Sequence, residues 1–410
     1  MRILMLNHNV AWRGGTFFRA YHFGRHLARR GHRVTLLTIS PTLRYGFREK
    51  VIEGLKVFET PDLLWGVTRS GWDPWDTLNR IAYVHDRSFD LVHAFDSRPA
   101  VILPALYHKT MQQSKLVLDW ADWWGRGGTI YERPNQLLWR MLAPIETFFE
   151  EAFRKYADGT TVISQALYQR ALSLQVNEST IMRIPQGSDV ERIRPLDQFE
   201  ARRALGLPLE APLLGHLGVL QPKDAALLLN AFAVIHKRHS DCKLIMIGNH
   251  RANIALHEIS ATAVIETGYV DYENLVRYLA ACDILMLPLC NTTSNQARWP
   301  SRINDYLAVG RPIITCPVGD VSVLFREHNI GLLANDNPQG FARATLSLLE
   351  DQGLREEMGS NARRIAEEQL SWEMLTTQLE KFYHKILHQQ DNVGQGGVTE
   401  KKRKERQHAA

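Results

Sequence analysis

Apolar residues arrive in short runs separated by amphipathic stretches, and the rhythm persists along most of the chain. The opening run 2–6 reads as a strand, continuously apolar after Arg2, as a strand covered on both faces must be. A loop containing Gly14-Gly15 follows. Phe17, Ala20, Tyr21, Gly24, Leu27 and Ala28 then recur at helical spacing, and Gly31 closes that helix. Residues 33–39 read as the next strand, so the chain opens with a β-α-β unit, which requires a parallel sheet. Runs at 90–94, 115–119 and 159–163 extend the same sheet, each separated from the next by enough chain for a crossover.

A second series begins after the Pro- and charge-rich stretch 185–212, with apolar runs at 213–218, 243–248, 263–266, 283–287 and 312–315. Helical patterns alternate with them, notably 225–238 and 272–282, and a last helix is expected over 372–388. The fold class is therefore α/β, with two Rossmann-like doubly wound domains. Residues 1–190 form the N-terminal domain and 191–370 the C-terminal one, followed by a helix at 371–390 and a basic tail at 391–410. Open α/β sheets bind ligands at the carboxyl ends of their strands, which puts the expected site in a cleft between the two domains.

Composition changes this picture little. The 410 residues are 45% hydrophobic and 23% charged, which excludes collagen-like, disordered and disulfide-scaffold classes. The net charge is +5, but the run 400–406 carries +3 of it, leaving too little elsewhere for a nucleic-acid face. That tail follows a Gly- and Gln-containing stretch and reads as a solvated terminus, with attraction to acidic headgroups as the alternative. Cys242, Cys282, Cys290 and Cys316 show neither metal-ligand nor redox spacing, so buried free thiols are expected. The apolar run at the amino terminus is shorter than a signal-peptide core and no run reaches 18 residues, so a cytoplasmic protein is expected. Eight of the ten tryptophans precede residue 140, which favours the N-terminal half as the place where aromatic faces meet a sugar ring or a bilayer interface. The aromatic segment 63–75 reads as a loop near the cleft.

The motifs that carry chemistry are Gly14-Gly15, Ile184-Pro185-Gln186-Gly187-Ser188-Asp189, Leu217-Gly218 followed by Lys223, Leu244 to Gly248, Gly268-Tyr269-Val270, and Asp305-Tyr306-Leu307-Ala308-Val309-Gly310-Arg311-Pro312. In order and spacing they resemble the GT-B glycosyltransferases of family 4 over residues 1–388. The resemblance implies sugar transfer from a nucleoside diphosphate sugar, held mainly by the C-terminal domain, to a hydroxyl acceptor held mainly by the N-terminal one. It also implies retention of configuration without a metal or other cofactor, and the chain has no Asp-x-Asp motif. The acceptor expected from family habit is a glycan or a lipid-linked saccharide, with peripheral contact at the inner face of a membrane and no nucleic acid.

Donor-binding candidates are Gly14, Gly15, Gly218, Lys223, Ser301, Arg302 and Asp305. Ser301 reads as the N-cap of a helix whose first amides would hold a diphosphate, with Arg302 adding charge. In the family this segment carries Glu-x7-Glu. Asp305 stands at the second position, whose carboxylate binds the ribose hydroxyls, but the first position is Ala297. The loop 290–298 offers Asn295 or Gln296 in its place. Lys223 follows a loop one residue shorter than the family's, and its alternative is a solvated surface lysine. Gly14 and Gly15 serve either close approach of a ligand to backbone or a plain tight turn. Asp119 and Asp122, at the end of the 115–119 strand, are candidates to orient or deprotonate the acceptor hydroxyl, or else turn and capping residues. The expected course is departure of the diphosphate against the Ser301 helix end, Arg302 and Lys223, with attack from the same face.

Two other classes compete. One is a catalytically degenerate nucleotide-sugar-binding or scaffold subunit, motivated by Ala297. The other is a dinucleotide oxidoreductase, weakened because the Gly14 loop lacks the Gly-x-Gly-x-x-Gly spacing. A P-loop is excluded by the lack of any Gly-Lys pair.

Overall fold

The computed structural model describes residues 1–63, 71–132, 136–249 and 260–388. Most of the aromatic segment expected as a loop and the whole basic tail lie outside the described residues. The chain divides into two units: 1–163 with 167–184 and 375–410, and 164–166 with 185–374.

The first unit carries an eight-stranded sheet. Its strands are β1 (Arg2–Val10), β2 (Arg33–Ile39), β3 (Arg48–Ile52), β4 (Leu55–Thr60), β5 (Leu91–Phe95), β6 (Lys115–Trp120), β7 (Gly159–Val162) and β8 (Ile181–Arg183), in the order β3-β4-β2-β1-β5-β6-β7-β8. Ile3, Leu4, Met5 and Leu6 are wholly buried, because helices cover both faces of this central strand. The antiparallel β3–β4 hairpin departs from the all-parallel expectation. Its two turn residues, Glu53 and Gly54, both have positive φ (50° and 82°), which matches the right-handed twist of the flanking strands. At the sheet edge β3 exposes Arg48 and Glu49, a composition that discourages pairing with another chain.

From Leu375 onward, the helix Trp372–His388 belongs to this unit. Its Tyr383 hydroxyl lies 2.5 Å from His93 Nδ1 on β5, and Glu380 pairs with Arg30 and His32 at 2.8 and 2.7 Å. Gly159 opens β7 because a Cβ there would stand 2.9 Å from the Phe382 ring.

The second unit is a six-stranded parallel sheet of β9 (Leu213–Leu217), β10 (Lys243–Ile247), β11 (Val264–Glu266), β12 (Ile284–Leu287), β13 (Ile313–Thr315) and β14 (Gly331–Leu333), ordered β11-β10-β9-β12-β13-β14. In each unit the winding direction reverses once, between β1 and β5 in the first and between β9 and β12 in the second. Loops diverge at such reversals, which opens a crevice at the carboxyl ends of the two strands.

Candidate functional site

At the reversal in the first unit, β1 delivers Asn7, His8 and Asn9 to the sheet edge. The chain then bends through Gly14 (φ 98°) and Gly15 (φ 62°, ψ −150°) into the helix Thr16–Arg29. Only glycine holds the Gly15 conformation readily, and a Cβ there would come within 2.8 Å of the Asn9 side chain. The bend is tied down by side chains: Asn7 Nδ2 donates to Thr16 Oγ1 (2.7 Å), and Thr16 Oγ1 donates to Asn9 Oδ1 (2.6 Å).

Beside it β5 ends at Phe95. Asp96 follows at φ 83°, a left-handed conformation that turns its carboxylate back across the sheet edge. His8 Nε2 donates to Asp96 Oδ2 at 2.7 Å, both side chains being nearly buried. Burial alone would raise the Asp96 carboxyl, but His8, then Arg98 and the Ser97 N–H, hold it well below the usual carboxylate range. Arg98 pairs with Glu146, and its guanidinium lies 5.2 Å from the Trp72 and Trp124 rings. These groups line a cavity of about 410 Å³, which Trp139 and Leu142 continue and which Gly15 and Asp122 border. A pocket with apolar aromatic walls and a few fixed polar groups suits a small organic ligand with hydroxyls to orient.

At the reversal in the second unit, Gly218 (φ 79°) follows β9, and its N–H donates to Ile247 O at 2.8 Å. The helix Arg302–Val309 lies against this edge. Arg302 Nη1 meets His216 Nε2 at 2.6 Å and Nη2 donates to Val219 O at 2.7 Å. His216 is wholly buried, and its Nδ1 lies 2.8 Å from Met286 O. A carbonyl only accepts, so the imidazole proton sits on Nδ1 and Nε2 accepts from Arg302. One further turn-face contact locks the helix: Leu217 N–H donates to the Tyr306 hydroxyl at 2.8 Å. Burial and the neighbouring Asp189 raise the Asp305 carboxyl to about 7, against the opposing pull of Arg302. Lys223 is exposed in the first turn of the helix Pro222–Arg238.

Comparison with known proteins agrees with this architecture. Residues 13–192 match the model described as Glycosyltransferase Family 4, and residues 211–351 match the one described as Glycosyl transferases group 1. The chain belongs to the family 4 GT-B glycosyltransferases. Among its relatives is a D-inositol 3-phosphate glycosyltransferase of Corynebacterium urealyticum, 27% identical over 51% of this chain and 52% of that one. Another is a GDP-mannose-dependent monoacylated alpha-(1-6)-phosphatidylinositol monomannoside mannosyltransferase of Corynebacterium glutamicum, 26% identical over 54% of this chain and 61% of that one. The chain thus spans about half the length of the curated relatives it matches. Sucrose-phosphate synthase from Thermosynechococcus elongatus has the same fold, with a TM-score of 0.73 at 16% identity over 94% of this chain and 99% of that one.

Within this glycosyltransferase fold several expected residues take other places. Asp119 is not a cavity group. It is wholly buried on β6, where Arg19 donates to it from Nε (3.2 and 3.0 Å) and Nη2 (3.0 Å) and Thr161 Oγ1 donates at 2.6 Å. With its lone pairs occupied and no path to a ligand, it is an internal anchor rather than a base. Asp122, three residues later and past the strand end, does reach the cavity. Gly15, grouped with the donor residues, borders that cavity too, whereas Gly14 does not line it.

Ser301 stands at the N-terminal position of its helix but makes no capping hydrogen bond, its backbone being already helical (φ −55°, ψ −33°). The amides of Ile303 and Asn304 are taken by Pro300 O and Ser301 O, so the turn closes on itself and the guanidinium of Arg302 is the fixed donor there. Asn295 is buried, with Nδ2 donating to Asp224 Oδ1 (3.1 Å) and Cys290 O (2.8 Å), which hold it in the interior of the second unit. Gln296 donates to Asn291 Oδ1. Ala297 is wholly buried, and its carbonyl accepts from Ser164 Oγ at 2.5 Å.

Sequence reasoning missed His8 with Asp96 and Arg98 with Glu146. The available signal was positional: His8 and Asp96 each sit at the carboxyl end of a strand flanking the order reversal.

Proposed function

We propose that this chain transfers a sugar from a nucleoside diphosphate sugar bound by the second unit to a hydroxyl of an acceptor bound in the cavity of the first. The observation that carries the reading is the Arg302 clamp, a guanidinium fixed by His216 and the Val219 carbonyl beside Gly218 and one helical turn from Asp305. A preorganised cation at that edge stabilises the charge on a departing diphosphate, an effect on the order of 3 kcal/mol for a single fixed donor. Lys223 adds a second, exposed cation, and Asp305 takes the ribose hydroxyls. The mannosyltransferase relative is GDP-mannose-dependent by name, which supports a nucleotide sugar as co-substrate.

On the acceptor side, tryptophan faces hold a sugar ring, and Asp122 with the Asp96-oriented His8 positions the attacking hydroxyl. A glycan or lipid-linked saccharide is the acceptor class, transfer goes with retention of configuration, and no metal takes part.

Thermal unfolding of the purified protein with UDP, GDP, ADP or NAD at millimolar concentration tests the donor site, because a ligand at 100 times its Kd adds about 2.7 kcal/mol. The expected result is a shift with one nucleoside diphosphate, reduced in Asp305→Ala and Arg302→Ala, and release of that diphosphate from its sugar when acceptor is present. A shift with NAD alone overturns the reading. The buried Ala297 favours a second reading, a binding subunit without turnover, which nucleotide binding without consumption of any donor would support.

A further inference from the structure

The amino ends of the first unit's strands carry charge in a pattern that folding does not need. Parallel pairing sets Arg2 on β1 directly opposite Arg33 on β2, and Thr35 opposite Lys56 on β4. Residues two apart on a strand share a face, so these three cations stand on one side of the sheet. Like charges directly opposite each other on neighbouring strands destabilise a sheet. A cluster that costs stability calls for a counter-charge.

The fold supplies only part of it. Asp90 holds Arg2 through Nε (3.1 Å) and Nη2 (2.8 Å), while Arg2 Nη1 donates to Ser88 Oγ at 2.6 Å. Glu49 stands 3.7 Å from Lys56, and Glu380 is shared by Arg30 and His32. Neither Arg33 nor Arg87 has a carboxylate partner among the described residues. Arg87 follows the helix Pro74–His85 and donates to Tyr83 O at 2.6 Å, with its guanidinium 3.9 Å from the centre of the Tyr83 ring. Tyr83 packs on Leu4 and Leu37, which continue the sheet face of Arg2 and Arg33, so the fourth cation is fixed over the other three. Together they line a hollow of about 400 Å³ with Tyr83 and Phe89 in its wall, and no carboxylate lines it among the described residues. Cations of one sign gathered in a concave space concentrate counter-ions, and guanidinium forks match the oxygens of a phosphate. The aromatic wall and the volume suit an organic body of metabolite size.

We propose that this hollow is a second ligand site, which takes a small phosphorylated molecule. Its occupant is not a reactant of the cavity: β1 starts at the hollow with Arg2 and reaches the cavity edge at Asn7, about 17 Å further on at 3.3 Å per residue. A phosphate there neutralises the facing Arg2 and Arg33 and so stabilises the strand ends from which β1 runs to the cavity. The inference stands apart from the transferase reading, since it uses neither the cavity nor the Arg302 edge.

The test is calorimetric titration of the full chain with inorganic pyrophosphate at fixed ionic strength, in an Arg302→Ala background that silences the other phosphate-binding edge. One pyrophosphate per chain is expected to bind, with affinity falling about tenfold or more when Arg33→Glu or Arg87→Ala removes a charge-assisted contact. Lys56→Ala is expected to lose less, because that ammonium is exposed. Arg238→Glu makes the same change of charge at an exposed position of the second unit and is expected to keep the affinity. Without ligand, Arg33→Ala is expected to melt no lower than its parent, because the Arg2–Arg33 repulsion leaves with it, and to gain less from pyrophosphate than the parent does. The proposal is overturned by failure to bind in the Arg302→Ala chain, or by binding that survives Arg33→Glu and Arg87→Ala, as attachment through the basic run 401–406 would. An equal loss in Arg238→Glu overturns it in favour of general charge attraction. A lower melting temperature in Arg33→Ala with unchanged pyrophosphate affinity assigns the cations to the fold and overturns it as well.

Discussion

Asp119→Asn separates an anchoring role from a catalytic one. In the parent, the Asp119 carboxylate receives three contacts from Arg19 and one from Thr161, while Arg19 also donates to Ile184 O at 2.9 Å. Both partners are essentially solvent-free, at 1% and 0% exposure. Removing the anion leaves a guanidinium buried without its counter-charge, and breaking such a pair costs about 3–5 kcal/mol. At roughly 2–4 °C per kcal/mol for domains of this size, the expected loss is on the order of 10 °C in melting temperature. Much of the cost is the stranded charge, so Arg19→Met combined with Asp119→Leu should recover a large part of it. The assay is calorimetric unfolding of parent, single and double variants, with transfer activity measured well below the lowest transition. A folded Asp119→Asn protein with unchanged melting temperature and no turnover would refute the anchoring role and restore Asp119 as a candidate base. Unchanged stability together with unchanged activity would refute the energetic argument itself.

The raised Asp305 carboxyl gives a pH signature. A group whose pKa is higher in the folded state contributes stability that is complete below its unfolded value of 3.8 and is lost as pH rises through about 7. Asp305→Asn removes that dependence, so its melting temperature relative to the parent should climb between pH 5 and pH 8, and a flat difference would count against the assignment. Gly15→Ala must hold a Gly-only backbone and press on Asn9, so urea unfolding should show a loss of about 1–3 kcal/mol. Arg302→Lys cannot span His216 and the Val219 carbonyl together. Its nucleoside diphosphate affinity by calorimetric titration should therefore resemble that of Arg302→Ala rather than the parent.

Much of the architecture was legible because parallel sheets covered on both faces demand apolar runs. The runs at 2–6, 33–39 and 243–248 announce β1, β2 and β10, and the helix expected at 372–388 forms over those residues. The β3–β4 hairpin escaped because the exposed edge strand Arg-Glu-Lys-Val-Ile carries charge where a buried strand would be apolar.

At the sites, residue type and approximate place were legible: glycines after β1, a cation and a carboxylate on the helix against β9 and β12, tryptophans in the first half. Which way each side chain faces was not. Asp119 and Asp122 look equivalent in sequence, but Asp119 lies within β6 in register with Thr161 on β7 and turns inward to Arg19, while Asp122 lies past the strand end. The pleat decides that difference, and it is fixed only when neighbouring strands align. His8 and Asp96 meet across 88 positions because β1 and β5 are adjacent in the sheet. Tyr383 reaches His93 across 290 because the chain returns to the first unit after the second is built. Local sequence determined which segments bury themselves and where the backbone must turn, since those depend on nearby residues. Strand order and register decided which distant polar groups share an edge, because only tertiary packing brings those partners within hydrogen-bonding distance.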